Sequence, residues 1–329
     1  KKYTITKTPA QPLRLVTPQS FRIEYKQELN PAQYEAATSV DGPFLIVAGA
    51  GTGKTRTIVY RVSYLIECGV SPDSILLLTF TRKAAREMLR RAVILLDARC
   101  ENVAGGTFHS FANGILRKYA DKLNYARNFT ILDQGDAEDV INLIRTQLKF
   151  DSKAKRFQRK STLYDLYSRS VNTLTPVDQL LAKDYPHYNE ILDDIKKVHD
   201  AYVRYKASNN LMDYDDLLLN IVSLLKSNES LRGALSDRYM YIMVDEYQDT
   251  NKIQAEIVRL LAHKHQNVMV VGDDAQSIYS FRGSTIENIR TFPDEFPQCR
   301  IIKLEENFRS SQSILNLANE ILKRAVTSP

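Results

Sequence analysis

Tryptophan is absent from the 329 residues, and cysteine is nearly so: Cys68, Cys100 and Cys299 stand far apart and are odd in number. With no Cys-x-x-Cys pair, neither a disulfide framework nor a zinc site is indicated, and a reducing, cytoplasmic setting is expected. No apolar run approaches the roughly 20 residues needed to span a bilayer, and the N-terminus lacks the apolar core of a signal peptide. No internal repeat of fixed period is visible either. What is present is 43% hydrophobic residues over a length that suggests two or three domains with a sizeable core. The net charge of +6 admits a polyanionic partner without requiring one. The first residue is Lys rather than Met, and Ala325-Val326-Thr327-Ser328-Pro329 follows directly from a helical pattern. A processed or excised piece of a longer protein is therefore expected.

Glycine is concentrated where it counts. Phe44 to Ala48 is a short apolar run suited to a strand buried on both faces, and Thr55 to Glu67 has helical spacing. Between them Gly49, Gly51 and Gly53 permit backbone angles closed to other residues, so that successive N–H groups can turn inward on a phosphate chain at a helix N-terminus. Lys54 then reaches the β- and γ-phosphates and Thr55 offers its hydroxyl to Mg²⁺, the arrangement of a Walker A loop.

Residues 1 to 19 hold Pro9, Pro12 and Pro18 among polar and basic residues and read as an extended lead-in. Asn30-Pro31 with Gln33 predicts a capped helix start. Ser74 to Phe80 is a second strand, a basic helical stretch runs from Lys83 to Arg91, and Asn102 to Phe108 is a candidate third strand. Tyr239 to Val244, Val268 to Val271 and Arg300 to Leu304 are further candidates. Strand alternating with helix gives an α/β fold with a parallel sheet. Between about 110 and 236 the apolar spacing turns helical throughout, which reads as a helical insertion. The basic run Ser152 to Lys160 suits a phosphate contact or, slightly better, a solvated loop.

A phosphate loop needs a carboxylate partner. Tyr239 to Val244 ends in Asp245 and Glu246, which places both at the carboxyl edge of the sheet, Asp245 as Mg²⁺ anchor and Glu246 as the base acting on water. An Asp-Glu pair opening a helix is the ordinary alternative. After Val271 comes Gly272-Asp273-Asp274-Ala275-Gln276, whose glutamine amide can sense a γ-phosphate. Tyr279, Phe281 and Arg282 follow, a composition suited either to stacking on unpaired bases or to ordinary core packing.

In this order the segments resemble a UvrD/Rep-type helicase of superfamily one. Leu29-Asn30-Pro31-Ala32-Gln33 is similar to its Q motif, and the resemblance implies that Gln33 recognises adenine. Ala48 to Thr55 resembles motif I, which brings Ala50, Gly51, Thr52, Gly53, Lys54, Thr55 and the following Arg56 to the nucleotide. Thr79 to Ala85 resembles motif Ia, implying DNA contacts at Phe80, Thr81 and Arg82, although many relatives have Asn where Arg82 stands. Gly106 to Phe111 resembles the next DNA-contacting motif, with His109 near the backbone; alone, His109 reads as structural. Asp213-Tyr214-Asp215-Asp216-Leu217-Leu218 resembles the family's Asp-Phe-Asp-Asp-Leu-Leu segment. Val244 to Thr250 resembles motif II and Val271 to Gly283 motif III, which makes Gln276 the coupler and Tyr279 and Phe281 base-stacking residues. Several relatives carry Trp at the Phe281 position. Leu304 to Ser311 resembles motif IV and makes Arg309 an arginine finger in cis.

The resemblance implies a RecA-like P-loop NTPase domain from 20–109 and 237–302, a helical accessory domain at 110–236, and the start of a second RecA-like domain at 303–329. Motifs V and VI have no counterpart in the chain. The implied activity is ATP- and Mg²⁺-dependent translocation on single-stranded DNA and at single-strand/duplex junctions, 3′ to 5′, with no membrane role and no protein partner specified. This chain itself is expected to bind ATP and DNA but not to unwind. Rival readings are the motor of a helicase-nuclease and a non-catalytic, nucleotide-dependent DNA-binding module.

Overall fold

Apolar runs of four or five residues form most of the sheet, which the chain leaves after three strands for the helical insertion and then rejoins. A computed structural model describes residues 20–150, 157–276 and 286–327. The lead-in at 1–19, most of the basic run, and Tyr279, Phe281 and Arg282 lie outside the described residues.

A single turn, α1 (Tyr25–Glu28), precedes α2 (Pro31–Thr38), which starts as the Asn30-Pro31 pair predicts. The Asn30 side-chain oxygen accepts from Gln33 N at 2.8 Å, and Gln33 Oε1 accepts from Asn30 N at 3.4 Å, a reciprocal cap. Strand and helix then alternate through β1 (Phe44–Ala48), α3 (Lys54–Glu67), β2 (Ile75–Leu78), α4 (Arg82–Leu95), β3 (Ala104–Gly106) and α5 (Phe108–Tyr119). The insertion comprises β4 (Thr130–Ile131), α6 (Gln134–Gln147), α7 (Lys160–Thr173), α8 (Val177–Asp184), α9 (Leu192–Ser208) and β5 (Leu211–Met212), followed by α10 (Tyr214–Ser227) and α11 (Glu229–Arg238). The chain re-enters the sheet with β6 (Tyr241–Val244), α12 (Lys252–Leu261), β7 (Val268–Gly272), α13 (Glu287–Glu295) and β8 (Arg300–Leu304), and α14 (Gln312–Thr327) follows.

Two expected strands are shorter than their apolar runs. Thr79 and Phe80 leave the ladder because Thr81 caps α4, its hydroxyl accepting from Ala84 N at 3.1 Å. Asn102 belongs to a 3₁₀ turn before β3. The insertion is helical except for one parallel pair, Thr130–Ile131 against Leu211–Met212, too short to leave a period in the sequence.

The main sheet is six-stranded and parallel in the order β3-β2-β6-β7-β1-β8. Side chains alternate across it, as a strand's two-residue period requires. Phe44, Ile46 and Ala48 enter a core shared with α2, α3 and α4, whereas Leu45 enters the opposite core with α5, α10, α11, α12 and α13. Helices α6 to α9 form a third core of their own, from Leu132 to Tyr202.

Two buried cations hold this frame together. Arg61 of α3 is 1% exposed and donates to Ala36 O and Val40 O at 3.0 Å each, and also to Ser39 O, closing the C-terminal end of α2. Burial lowers its pKa to about 10, so it keeps its charge at neutral pH. Lys206 of α9 pairs with Asp213 Oδ2 at 2.5 Å and Asp216 Oδ2 at 2.6 Å, joining the insertion to the start of α10. Asp213 caps α10 through Asp216 N and also accepts from Tyr202 Oη at 2.7 Å.

Candidate nucleotide and nucleic-acid site

Every loop of interest leaves the sheet at its carboxyl edge, where open α/β sheets bind ligands. From β1 the chain enters residues 49–53 with Gly51 at φ 81° and Gly53 at φ 89°, the left-handed region expected of them. Space is a second constraint at both positions. A Cβ on Gly53 would lie 2.6 Å from Gln33 Nε2, and one on Gly51 would lie 2.7 Å from Arg309 Cβ. Thr52 is buried and donates through Oγ1 to Gly49 O at 2.8 Å, which closes the turn.

Lys54 and Thr55 open α3. Lys54 Nζ lies 3.1 Å from Glu246 Oε2, close enough for an ion pair, yet the angle is not a hydrogen bond's. Its buried protons are therefore without an acceptor, although burying a polar group unbonded is costly. Asp245, at the end of β6, is 5% exposed, and its Oδ1 has no hydrogen-bond partner. Burial, and then the neighbouring Glu246, push its pKa up to about 7, with Lys54 opposing them. Glu246 adopts φ 51°, an uncommon conformation for a residue with a side chain and a mark of a constrained site.

The side chain of Gln248 holds the Glu246 carboxylate in place. Its Nε2 donates to Glu246 Oε2 at 2.8 Å, while its Oε1 accepts from Asp273 N at 3.0 Å at the end of β7. Asp273 in turn accepts from Ala275 N at 3.0 Å and from Gln276 Nε2. Asp249, its Oδ1 also buried and unpartnered, has a pKa raised to about 6 by burial and by Glu246. Thr55, Asp245, Glu246, Gln276 and Arg309 line one cleft of about 500 Å³, which also reaches Phe80 and Thr81.

The remaining residues expected at the nucleotide brace the loop. Gln33 is buried and donates to Thr52 O at 2.9 Å. Arg56 donates to Glu28 O at 2.8 Å and lies over the Tyr60 ring, 4.7 Å from its centroid. Ala50 O accepts from Asn307 Nδ2 at 2.5 Å.

The edge continues toward β2 and β3. Asp245 N donates to Leu78 O, and Thr79 N to Gly106 O, each at 3.0 Å, so the ends of β6, β2 and β3 are bonded in sequence. Phe80 is 39% exposed, and Thr81 and Arg82 are exposed beside it. His109, near the start of α5, is half-buried, and burial lowers its pKa below the usual histidine value. Its ring meets that of Tyr214 edge-on at 5.9 Å, and Tyr214 is 48% exposed. Sequence reasoning gave no role to Tyr214, Gln248, Asp273 or Asn307. Tyr214 stood out from sequence only as an apolar position of a helix shared with Leu217, Leu218, Ile221 and Leu225 and as part of the Asp213 to Leu218 segment.

The residues present fit a nucleoside triphosphate with Mg²⁺. An ammonium held by an ion pair to Glu246 but by no hydrogen bond, an unpartnered buried carboxylate oxygen and a hydroxyl lie together beside a glycine loop, the last two lining one cleft. Among the described residues no group of three or more His, Cys, Asp or Glu could hold a metal. One carboxylate and one hydroxyl suit Mg²⁺, which takes its remaining ligands from phosphates and water. Also among the described residues, no helix is long and apolar enough to cross a membrane.

The family model for the UvrD/REP helicase N-terminal domain matches residues 29–297. The ATP-dependent DNA helicase PcrA of Staphylococcus aureus is 40% identical over 297 residues, covering 90% of this chain and 40% of that protein. PcrA of Staphylococcus epidermidis is 40% identical over 299 residues, with the same coverage. The chain therefore spans about two fifths of the length of the curated relatives it matches. The chain belongs to the UvrD/REP helicase family and corresponds to its N-terminal domain.

Proposed function

From that membership we propose that the chain is the nucleotide-binding wall and part of the DNA track of an ATP-dependent DNA helicase. The observation that carries the proposal is the juxtaposition of Lys54, the unpartnered Asp245 oxygen and the strained Glu246 at adjacent strand ends. Gly51, Gly53 and Lys54 hold the phosphate chain, and Thr55 and Asp245 hold Mg²⁺. Bound there, Mg²⁺ neutralises charge on the β- and γ-phosphate oxygens. Glu246 orients and deprotonates the attacking water, and Gln248 fixes its carboxylate. Gln276 senses the γ-phosphate from β7, Arg309 stabilises it from the loop after β8, and Gln33 and Arg56 flank the adenine side.

Phe80, Thr81, Arg82 and His109, with Tyr279, Phe281 and Arg282 downstream, form the single-strand contact in this proposal, and the direction is 3′ to 5′. Helices α6 to α9, with their own core, act as the accessory unit, and residues after β8 lead into a second RecA-like domain. The protein works in the cytoplasm.

Arg309 is one arginine finger in this proposal, and a second, from the opposing domain, would contribute about 10³ to 10⁵ in turnover. These 329 residues by themselves, about two fifths of the length of the relatives, should therefore bind Mg-ATP and single-stranded DNA but neither hydrolyse quickly nor unwind. The test is DNA-stimulated ATPase and strand separation by the 329-residue chain, with Lys54→Ala as control. Nucleotide binding that Lys54→Ala abolishes, with salt-sensitive DNA binding kept, supports the proposal. Rapid DNA-stimulated hydrolysis by this chain alone refutes the division of labour.

A further inference from the structure

The loop after β8 is fastened to the phosphate loop by one backbone bond and one side chain, Asn307, which also shapes the turn it belongs to. Because Ala48 is in register with Leu304, the loops that follow β1 and β8 leave the sheet side by side. Asn307 Nδ2 donates to Ala50 O at 2.5 Å, while Asn307 Oδ1 accepts from Arg309 N at 2.9 Å and from Ser310 N at 2.8 Å. Phe308 N donates to Gly51 O at 2.9 Å, and Asn30 Nδ2 donates to Glu306 Oε2 at 2.9 Å from the cap of α2. The approach is tight enough that a Cβ on Gly51 would lie 2.9 Å from both polar atoms of the Asn307 amide. Among the described residues, the Arg309 guanidinium at the end of this clasp has no hydrogen-bond or ion-pair partner. It lines the same cleft as Thr55 and Glu246.

We infer that Asn307 is a positioning residue: its amide locks the turn carrying Arg309 onto the phosphate loop and so fixes where Arg309 meets the terminal phosphate of a bound nucleoside triphosphate. This rests on the nucleotide reading of residues 49–55. The amide is needed at both ends. Its oxygen accepts two backbone N–H groups and shapes the turn, and its nitrogen alone reaches the phosphate loop. Asp keeps the first function and sets an oxygen against Ala50 O in place of the second. Ala loses both. Arg309 then belongs to the same wall as the phosphate loop, and its reach toward the γ-phosphate is set by Asn307 before any opposing domain arrives.

Affinities of the 329-residue chain for Mg-ADP and Mg-ATPγS separate this role from simple structural support. Arg309→Ala should cost ATPγS affinity about tenfold, the scale of one hydrogen bond to a charged group, and leave ADP unchanged. Asn307→Asp should lose most of the same preference with ADP affinity and the unliganded melting temperature kept. The double variant should be no worse than Arg309→Ala alone, since both act on one contact. An Asn307→Asp chain that keeps the γ-phosphate preference lost in Arg309→Ala overturns the inference, as does equal weakening of both nucleotides. If the parent chain binds neither nucleotide, or binds both equally with Arg309→Ala silent, the nucleotide reading itself fails and takes the inference with it.

Discussion

Replacing Asp245 by Asn changes one buried oxygen for an amide nitrogen and leaves the shape of the cleft intact. Its effect on stability can be worked from the environment. The carboxyl is raised from its ordinary 3.8 to about 7, chiefly by burial and then by Glu246, after the favourable field of Lys54 has acted. Because the folded-state value lies above the unfolded one, ionised Asp245 disfavours the fold. This penalty is absent below the unfolded pKa near 3.8, grows through the window from there to about 7, and is complete above it. A shift of about three pH units corresponds to about 4 kcal/mol, at 1.36 kcal/mol per unit. An amide cannot ionise, so the Asp245→Asn variant should exceed the parent in denaturant stability by about 2–4 kcal/mol at pH 8, falling to near zero at pH 4. The same substitution should abolish Mg²⁺-dependent nucleotide binding. Urea unfolding of both chains from pH 4 to pH 8, without Mg²⁺, reads the difference directly. An Asp245→Asn chain that is less stable than the parent at pH 8, or a gap that ignores pH, would falsify the account of Asp245 as a charge held against the fold for its ligand.

Other expectations follow from particular contacts. Lys206→Met leaves Asp213 and Asp216 buried without their cation, and should cost about 3–5 kcal/mol in a urea titration, with a larger deficit at pH 8 than at pH 5. Gly53→Ala combines a left-handed φ of 89° with a Cβ 2.6 Å from Gln33 Nε2. It should weaken nucleotide binding by at least about tenfold in equilibrium titration while costing about 1–2 kcal/mol of stability. Tyr214→Ala removes an exposed ring packed on His109 and should weaken binding of a fluorescent oligo-dT by about 1–3 kcal/mol with nucleotide affinity unchanged.

Strand positions were legible because β1, β2, β6 and β7 are buried on both faces, so each is a continuous apolar run of four or five residues, although Ala92 to Leu96 at the end of α4 is such a run as well. Lys54, Thr55, Asp245, Glu246, Gln276 and Arg309, named from sequence, do line or adjoin one cleft. Less legible was what fixes them. Gln248 reads as one polar residue among several, and its value lies in joining Glu246 to a backbone N–H 25 residues downstream. Asn307 and Ala50 are 257 residues apart, and no local pattern reports such a bond. Lys206 falls on the buried face of α9 with Ile195, Val198 and Tyr202, where a lysine is unexpected, and no local pattern reports that Asp213 and Asp216 are there to pair with it. Helices α5 and α10 have the same amphipathic spacing as α6 and α9, so spacing alone does not tell which pack on the sheet and which on one another.

Sheet order explains why one edge can serve two ligands. The strands that would hold the nucleotide, β6, β7, β1 and β8, are consecutive neighbours, and those leading to Phe80 and His109, β2 and β3, continue the same row. The boundary falls between β6 and β2, where Asp245 N donates to Leu78 O. A shift of Asp245 is therefore a shift of the strand end that carries Phe80, one hydrogen bond away, and Thr79 N passes it to Gly106 O and the start of α5. Every strand of this ladder except the edge strands β3 and β8 has a neighbour on either side. A long flexible route between the two sites is unnecessary. Coupling would require only that ligation of the Asp245 carboxylate move the end of β6, where one carboxylate oxygen has no hydrogen-bond partner and Glu246 holds a left-handed φ.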